Sequence, residues 1–347
     1  MITFSDINNH DEKLSQDDNF LNENEQNRVI LEDLLRNTER KFNDVLLEIT
    51  KKIEKSLDYE IKIIWPRDKS TYAGIKYDGN YSIKISMPFT RKIFVYSDFI
   101  AEKYENFWRD KLKIQVSKSE VRDMLFCSYC LIILCHEAAH ILNGHLDFLK
   151  DKKIITTTET LEIDYLEILT KENSKENLEE LEKAHKNNRD IWFALEAEAD
   201  AFAAQSAVNL FRLIDKIWNV IERVKGIESD IVIAYEVYGY ILATLFHFYD
   251  LISSPNDVRH PKPFVRMYIS ASSFNQLVKI KKCSSDEYKV ILETLLKSYW
   301  EVSDNFKFYD TTELQKIKME YPLEAADFMK KIPNILKKIN ISSYRKR

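Results

Sequence analysis

The stretch LCHEAAHILNGH, residues 134–145, contains three of the chain's seven histidines, and two of them flank a glutamate in the order His-Glu-x-x-His. Residues four apart on an α-helix share one face, so His136 and His140 can direct two imidazole nitrogens to one point. That spacing suits a tetrahedral zinc ion. Glu137 is rotated by about 100° from His136 around the helix, so we expect it to act as a general base beside the ion.

A catalytic zinc ion needs a third protein ligand and an open fourth position. A third histidine on the same segment is not in place, because His145 comes one residue too early for that arrangement. The later segment ALEAEADAFAA offers acids instead: Glu196 and Asp200 share one helical face, and Glu198 points away from it. We predict Glu196 as the third ligand, with Glu198 as the fallback, and Asp200 as the acceptor that orients a ligand histidine.

The segment HPKPFVR places His260 before a proline and Arg266 near the start of a predicted helix. The transition state of peptide hydrolysis carries an oxyanion that needs a hydrogen-bond donor, and either residue could supply it. Either could instead bind Asp200 or a substrate carboxylate. The alternative is structural, with His260 capping a helix and Arg266 on the surface.

The composition indicates a globular and mostly helical protein, since 45% of the 347 residues are hydrophobic and only five are glycine. The net charge of −5 offers no basic surface for a phosphate backbone, so nucleic acid is not an expected partner. The polar, acidic N-terminus does not resemble a signal peptide. The most apolar run, residues 124–135, is shorter than the about 20 residues of a membrane span. We therefore expect a cytoplasmic protein with no membrane partner.

The four cysteines do not form the framework of a disulfide-rich secreted protein: Cys127, Cys130, Cys135 and Cys283. The first three lie in the apolar run, where small core residues are the expected role and a second metal site or a redox pair is the alternative. Among the other histidines, His145 matches no ligand spacing. His247 lies in an apolar segment and is predicted to be a core residue.

The sequence predicts a class of α+β, mostly α. Residues 1–27 are polar without apolar periodicity, which predicts a disordered leader, and residues 29–56 predict one amphipathic helix. Three segments, 59–66, 74–88 and 92–99, alternate apolar and polar residues and predict a small antiparallel sheet. Helical patterns follow almost to the end.

The segments HEAAHILNGH, EAEADAFA and HPKPFVR, in this order, resemble the zinc metallopeptidases of the glutamate-zincin group. The second and third are similar to elements of prenyl-protein-processing and heat-shock membrane proteases, whose membrane spans are not predicted here. The layout is more similar to two soluble types. One is the phage-exclusion Lit-type peptidases, implied to cleave a translation factor during phage infection. The other is the ImmA/IrrE-type peptidases, which usually carry Asn where Asp200 stands. The resemblance covers about residues 119–270.

The resemblance implies a role for each candidate residue. The zinc (Zn²⁺) ligands are His136, His140 and Glu196. The supporting residues are Glu137 as base, Asp200 as orienting acceptor, and His260 with Arg266 as transition-state or structural support. The implied fold is zincin-like: a helix, a small sheet whose edge strand pairs with substrate, two ligand helices and further C-terminal helices. Segments 81–87 and 92–97 are the candidate edge strands.

These observations predict a zinc-dependent endopeptidase that acts on a specific intracellular protein in a phage-defence or stress setting. A protein or peptide substrate is the expected partner, and a regulatory protein or peptide is a candidate. The expected division is a leader at 1–27, a metallopeptidase core at 28–275 and a helical extension at 276–347 packed on the core. Two alternatives stay open: a non-catalytic zinc-binding scaffold or sensor in a defence or toxin system, and a helical interaction protein without metal.

Overall fold

The computed structural model describes residues 4–16, 29–44, 61–67, 73–77, 80–112, 115–152, 188–211, 230–253, 260–273 and 284–343. This part of the chain is mostly helical and contains one three-stranded sheet, which confirms the predicted α+β, mostly α class. Cys283 and the end of the predicted helix, 45–56, lie outside the described residues.

The sheet consists of three short strands, β1 (Ile61–Ile64), β2 (Ala73–Tyr77) and β3 (Tyr81–Ile85). Their order is β1-β3-β2, with β3 antiparallel to β2 and parallel to β1. The predicted pairing of β2 with β3 is confirmed, but the prediction of a purely antiparallel sheet is wrong. The candidate edge strand at 81–87 is also wrong, because β3 is paired on both sides. Alternation along a strand indicates which face is buried and not which neighbours the strand has.

The predicted third strand at 92–99 is instead part of helix α3 (Met87–Lys103), so the candidate edge strand at 92–97 is wrong as well. The helix begins at Ser86, whose side chain accepts a hydrogen bond from the backbone N–H of Phe89. Almost every residue from Ile93 to Ala101 is buried. A helix buried on all sides loses the 3.6-residue periodicity that separates it from a strand in the sequence.

The N-terminal segment is structured where the sequence predicted a disordered leader. Residues Phe4–Gln16 form helix α1, which packs on α3, and a second helix, α2, covers 29–44. His10 is buried, and its Nε2 lies 3.0 Å from Oδ2 of Asp98. The prediction is therefore wrong for 4–16: the buried Ile7 and the contact of His10 with Asp98 join α1 to the core, although the segment is mainly polar. The remaining part of the leader, 17–27, lies outside the described residues.

Six helices follow α3 in the described part of the chain: α4 (Glu105–Leu112), α5 (Lys118–Leu142), α6 (His145–Asp151), α7 (Arg189–Phe211), α8 (Asp230–Ile252) and α9 (Pro263–Ser273). The predicted capping box starts α5: Ser117 accepts from the N–H of Glu120, whose carboxylate accepts from the N–H of Ser117. Helix α5 packs against α3 on one side and α7 on the other, and α9 packs against α7.

Helix α5 is also the one helix, within the described part of the chain, that is long and apolar enough to cross a membrane. Its apolar window is buried entirely inside the protein, which fits a soluble protein with a long core helix.

The last described helices pack on the same core: α10 (Ser285–Phe306), α11 (Thr311–Met319) and α12 (Tyr321–Lys338), followed by a 3-10 turn at Ile341–Ser343. Helix α10 lies along α8, and α12 contacts α7 and α9. The approach of α10 to α8 is close at Gly239, where a Cβ atom would lie 2.7 Å from Cβ of Ser298.

Candidate metal centre

Two helices bring the three predicted ligands together in the core. His136 and His140 lie one turn apart on α5, and Glu196 projects from α7. Small residues such as Ala194 and Ala197 are buried in α7, the helix that packs against α5. One ligand atom from each of the three residues lies within 4.8 Å of the others, and all three side chains are buried. This group could hold a metal ion.

The ligand atoms converge closely. The Nε2 atoms of His136 and His140 lie 3.1 Å apart. The Glu196 carboxylate places Oε2 at 3.2 Å from His136 Nε2 and Oε1 at 3.4 Å from His140 Nε2. Two imidazole nitrogens and one carboxylate are a ligand set typical of a catalytic zinc site, in which the fourth position remains open.

Asp200 fixes the orientation of the first ligand ring, as the sequence predicted. Its Oδ1 lies 3.0 Å from Nδ1 of His136. An ionised carboxylate can only accept hydrogen bonds, so Nδ1 of His136 donates to Asp200, and Nε2, which faces Glu196, is the nitrogen that would bind a metal after losing its own proton. The tautomer of a ligand histidine is commonly set in this way by the partner of its other nitrogen.

His145 contacts the ring of His140, and the sequence did not predict this contact. Its Nδ1 lies 2.9 Å from Nδ1 of His140, and its Nε2 lies 3.1 Å from Oε2 of Glu198. Glu198, the fallback ligand, is therefore bound to His145 and is not a member of the ligand group. A signal was present in the sequence: Gly144 lies between the two histidines and can end one helix before the next begins.

The residues fit a cation because a buried carboxylate and two imidazole nitrogens converge on one point. Glu196 is completely buried, and among the described residues neither of its carboxylate oxygens receives a hydrogen bond of good geometry. Buried polar atoms without partners are rare and costly in folded proteins. A divalent metal at the convergence point of these atoms would satisfy the carboxylate and both ring nitrogens at once.

The electrostatics of the metal-free protein agree with this assignment. Burial opposes a charge on His136, but the adjacent carboxylates of Asp200 and Glu196 outweigh it and raise the pKa of His136 to about 10. Burial lowers the pKa of His140 well below its ordinary value, so His140 is neutral. Burial also opposes a charge on Glu196, but the surrounding histidines lower the pKa of that carboxyl. The site is therefore built around an ionised Glu196 and a neighbouring positive charge.

Glu137 has the environment expected of a general base. Its side chain is buried, and among the described residues its Oε2 atom has no hydrogen-bond partner. Burial raises the pKa of Glu137 to about 7, against the opposing charge of His136. A carboxylate with a pKa near neutrality can accept and release a proton at physiological pH.

Arg266, in helix α9, and His260, just before that helix, also lie close to the site. The Arg266 guanidinium donates from Nε to Oδ2 and from Nη2 to Oδ1 of Asp200, both at 2.8 Å. Of the roles left open for Arg266, the structure shows this ion pair, and a surface position is wrong because Arg266 is buried. The Nε2 atom of His260 lies 3.4 Å from Oε2 of Glu196, so His260 also faces the ligand group.

Three cysteines and His247 occupy the places that the sequence predicted. Cys127, Cys130 and Cys135 are buried free thiols, and burial raises the pKa of Cys135, which disfavours the thiolate that metals bind. Their interpretation as small core residues is confirmed. His247 is a core residue, as predicted, with its ring stacked on that of Phe308 at 3.7 Å.

A second group of possible ligands contains His10, Asp98 and Glu102. Nζ of Lys118 already lies 2.9 Å from Oδ2 of Asp98 and 2.5 Å from Oε2 of Glu102. An ammonium group therefore supplies the positive charge in this second group.

Comparisons with models of protein families, with curated proteins and with solved structures found no match to the chain. The assignment of the site therefore rests on the geometry of its own residues.

Proposed function

We propose that the protein is a soluble zinc-dependent endopeptidase. The observation that carries the proposal is the convergence of His136 Nε2, His140 Nε2 and the Glu196 carboxylate in a buried group, with Glu137 on the same helix turn. A zinc ion held there would polarise a scissile carbonyl and activate a water molecule for attack.

In this proposal each protein group has one task. Glu137 accepts a proton from the attacking water and passes it to the leaving amine. Asp200 holds the ring of His136 in the tautomer that a metal requires. His260 is the proposed donor to the oxyanion, because both guanidinium bonds of Arg266 are directed to Asp200.

The experiment that tests catalysis compares the wild-type protein with Glu137→Gln. Glutamine has nearly the same shape but cannot act as a base, so we expect zinc content to be retained while turnover falls by about 10²–10⁴-fold. Both proteins are incubated with a lysate of host cells, and new protein N-termini are identified by mass spectrometry. Termini made only by the wild-type protein would identify the substrate. An equal rate of cleavage by Glu137→Gln would contradict the mechanism.

The proposed substrate is one particular intracellular protein, in a phage-defence or stress setting, and a regulatory protein or peptide is a candidate partner. Support for this setting comes from the resemblance to Lit-type and ImmA/IrrE-type peptidases. It is tested by infecting cells that carry the wild-type gene or the Glu137→Gln gene. A defence enzyme should reduce phage yield only in its wild-type form.

A second candidate function is a non-catalytic zinc-binding scaffold or sensor, and the burial of the site favours it. The side chains of the ligands and of Glu137 are at most 9% exposed, which restricts the access of a polypeptide. A scaffold would bind one zinc ion per chain, yet the wild-type and Glu137→Gln proteins would yield the same termini in the lysate. A zinc content far below one per chain would contradict both functions and would support a helical interaction protein.

A further inference from the structure

His145 and Glu198 form a buried pair directly behind the ligand His140. His145 is fully buried and the Glu198 side chain is 16% exposed. The contacts run in series: His140 Nδ1 to His145 Nδ1 at 2.9 Å, then His145 Nε2 to Glu198 Oε2 at 3.1 Å. The series resembles the contact of Asp200 with His136, with one imidazole inserted between the carboxylate and the ligand.

The position of His145 is set by a sharp turn between two helices. Helix α5 ends at Leu142, and Gly144 has a φ of 73°, a left-handed conformation that favours glycine. The turn lets α6 start at His145, so that its ring points back toward α5. Helix α6 is anchored by a hydrogen bond from the Tyr81 hydroxyl to Oδ1 of Asp147.

The order of the contacts determines which atoms carry protons. A carboxylate only accepts, so His145 Nε2 donates to Glu198, and with its proton on Nε2 the ring presents Nδ1 to His140 as an acceptor. His140 must therefore donate from Nδ1, which leaves its Nε2 lone pair directed at Glu196 and His136. The other tautomer of His140 would place a hydrogen atom where a metal must bind.

We propose that His145 and Glu198 are a positioning relay that keeps His140 in its metal-binding tautomer and orientation. This inference rests on the proposed metal site, and it makes the two ligand rings equivalent: Asp200 orients His136 directly, and Glu198 orients His140 through His145. Removing a group that orients a ligand typically weakens metal binding about 10–100-fold.

The test measures zinc affinity by competition with a chromophoric chelator. His145→Leu removes the acceptor for His140 and should weaken zinc binding by about 10–100-fold. His145→Asn should recover most of the affinity, because an Asn Oδ1 atom occupies the place of His Nδ1 and can accept the same hydrogen bond. Glu198→Leu should also weaken binding, since His145 then loses the carboxylate that fixes its own tautomer.

A matched control is His10→Leu, which removes another buried histidine paired with a carboxylate, Asp98, far from the ligands in sequence. It should leave zinc affinity unchanged. The visible spectrum of the cobalt-substituted protein provides a second readout, and it should show unchanged ligation in His10→Leu and altered ligation in His145→Leu. Circular dichroism of the metal-free proteins identifies variants that do not fold, and Glu198→Leu and His145→Asn carry the test if His145→Leu is one of them.

The outcomes separate the relay from the proposed function. If His145→Leu or Glu198→Leu binds zinc as tightly as the wild type does, the relay alone is overturned. Equal losses in His145→Asn and His145→Leu would also overturn it, because the hydrogen bond to His140 would then have no part in the effect. Absence of zinc binding by the wild type would overturn the metal site and the relay together.

Discussion

Arg266 and Asp200 form a buried ion pair with two hydrogen bonds. A double-mutant cycle tests how much this pair contributes to the stability of the protein. Two guanidinium bonds of 2.8 Å join them, and both side chains are less than 7% exposed. Burial lowers the pKa of Arg266 to about 9, so the guanidinium is charged at neutral pH. The single change Arg266→Met therefore leaves the Asp200 carboxylate buried beside Glu196 without the guanidinium, and only the ring of His136 remains to balance its charge.

The expected cost follows from the burial of both partners. Removing one member of a buried ion pair destabilises a protein by about 3–5 kcal/mol, because the remaining charge is uncompensated. Asp200→Asn leaves Arg266 in the same condition, although the amide oxygen can still accept from His136 Nδ1. The double variant removes both members of the pair together, so its loss should be smaller than the sum of the single losses by about 2–3 kcal/mol.

The assay is urea unfolding at pH 7.5 in the presence of a chelator, so that metal binding does not contribute to stability. The control cycle uses the exposed pair Lys330 and Asp327, with side chains 76% and 70% exposed, where no measurable coupling is expected. Losses at Arg266 and Asp200 that add to within about 0.5 kcal/mol would refute the reasoning. Such additivity would mean that the two side chains do not depend on each other in the folded protein.

Three further predictions concern metal, pH and helix capping. Zinc at about 100 times its dissociation constant should raise the free energy of unfolding by about 2.7 kcal/mol over chelated protein, and His136→Ala should abolish this increase in calorimetry. Burial lowers the pKa of His247 from 6.5 to about 3. Between these values only the unfolded chain takes up the proton, so stability is lost as the pH falls, by about 2 kcal/mol at pH 5. Between pH 7.5 and pH 5, the free energy of unfolding of His247→Gln, measured with urea, should fall by about 2 kcal/mol less than that of the wild type. An equal fall in the two proteins would contradict the assignment. Ser117→Ala removes the cap of α5 and should cost about 1 kcal/mol, whereas Ser119→Ala removes only a 3.1 Å contact with the Ser117 hydroxyl and should cost less.

The ligand group could be predicted from the sequence because its geometry is local to two helices. Residues four apart must share a face, so His136 with His140 and Glu196 with Asp200 each form a unit before any tertiary contact is known. The remaining prediction, that the two pairs lie close together in the folded protein, depended on tertiary structure. The many alanines in the sequence of α7 indicated a helix that could approach α5 closely. The burial of Ala194 and Ala197 agrees with this expectation.

His145 could not be predicted in the same way, because its contact depends on a break between helices. A separation of five residues places two side chains on different faces of one continuous helix. Only the left-handed turn at Gly144 brings His145 back to His140. The prediction of a strand at 92–99 was wrong for a different reason. Burial on all sides of this helix removed the 3.6-residue periodicity that distinguishes a helix from a strand in the sequence.

The two groups of possible metal ligands in the described part of the chain show how the position of a cationic side chain decides their chemistry. In the group of His10, Asp98 and Glu102, Nζ of Lys118 lies against both carboxylates, so these already have their counter-charge. Near Glu196, the permanent cation is Arg266, whose Nη2 atom lies 3.9 Å from Glu196 but 2.8 Å from Asp200. Arg266 therefore neutralises the acceptor that orients His136 and leaves the ligand carboxylate to another cation. A proton on His136 can balance Glu196 alone, whereas a divalent ion can balance Glu196 and an ionised Glu137 together. The charge arrangement thus favours a divalent metal in the state in which Glu137 is able to accept a proton.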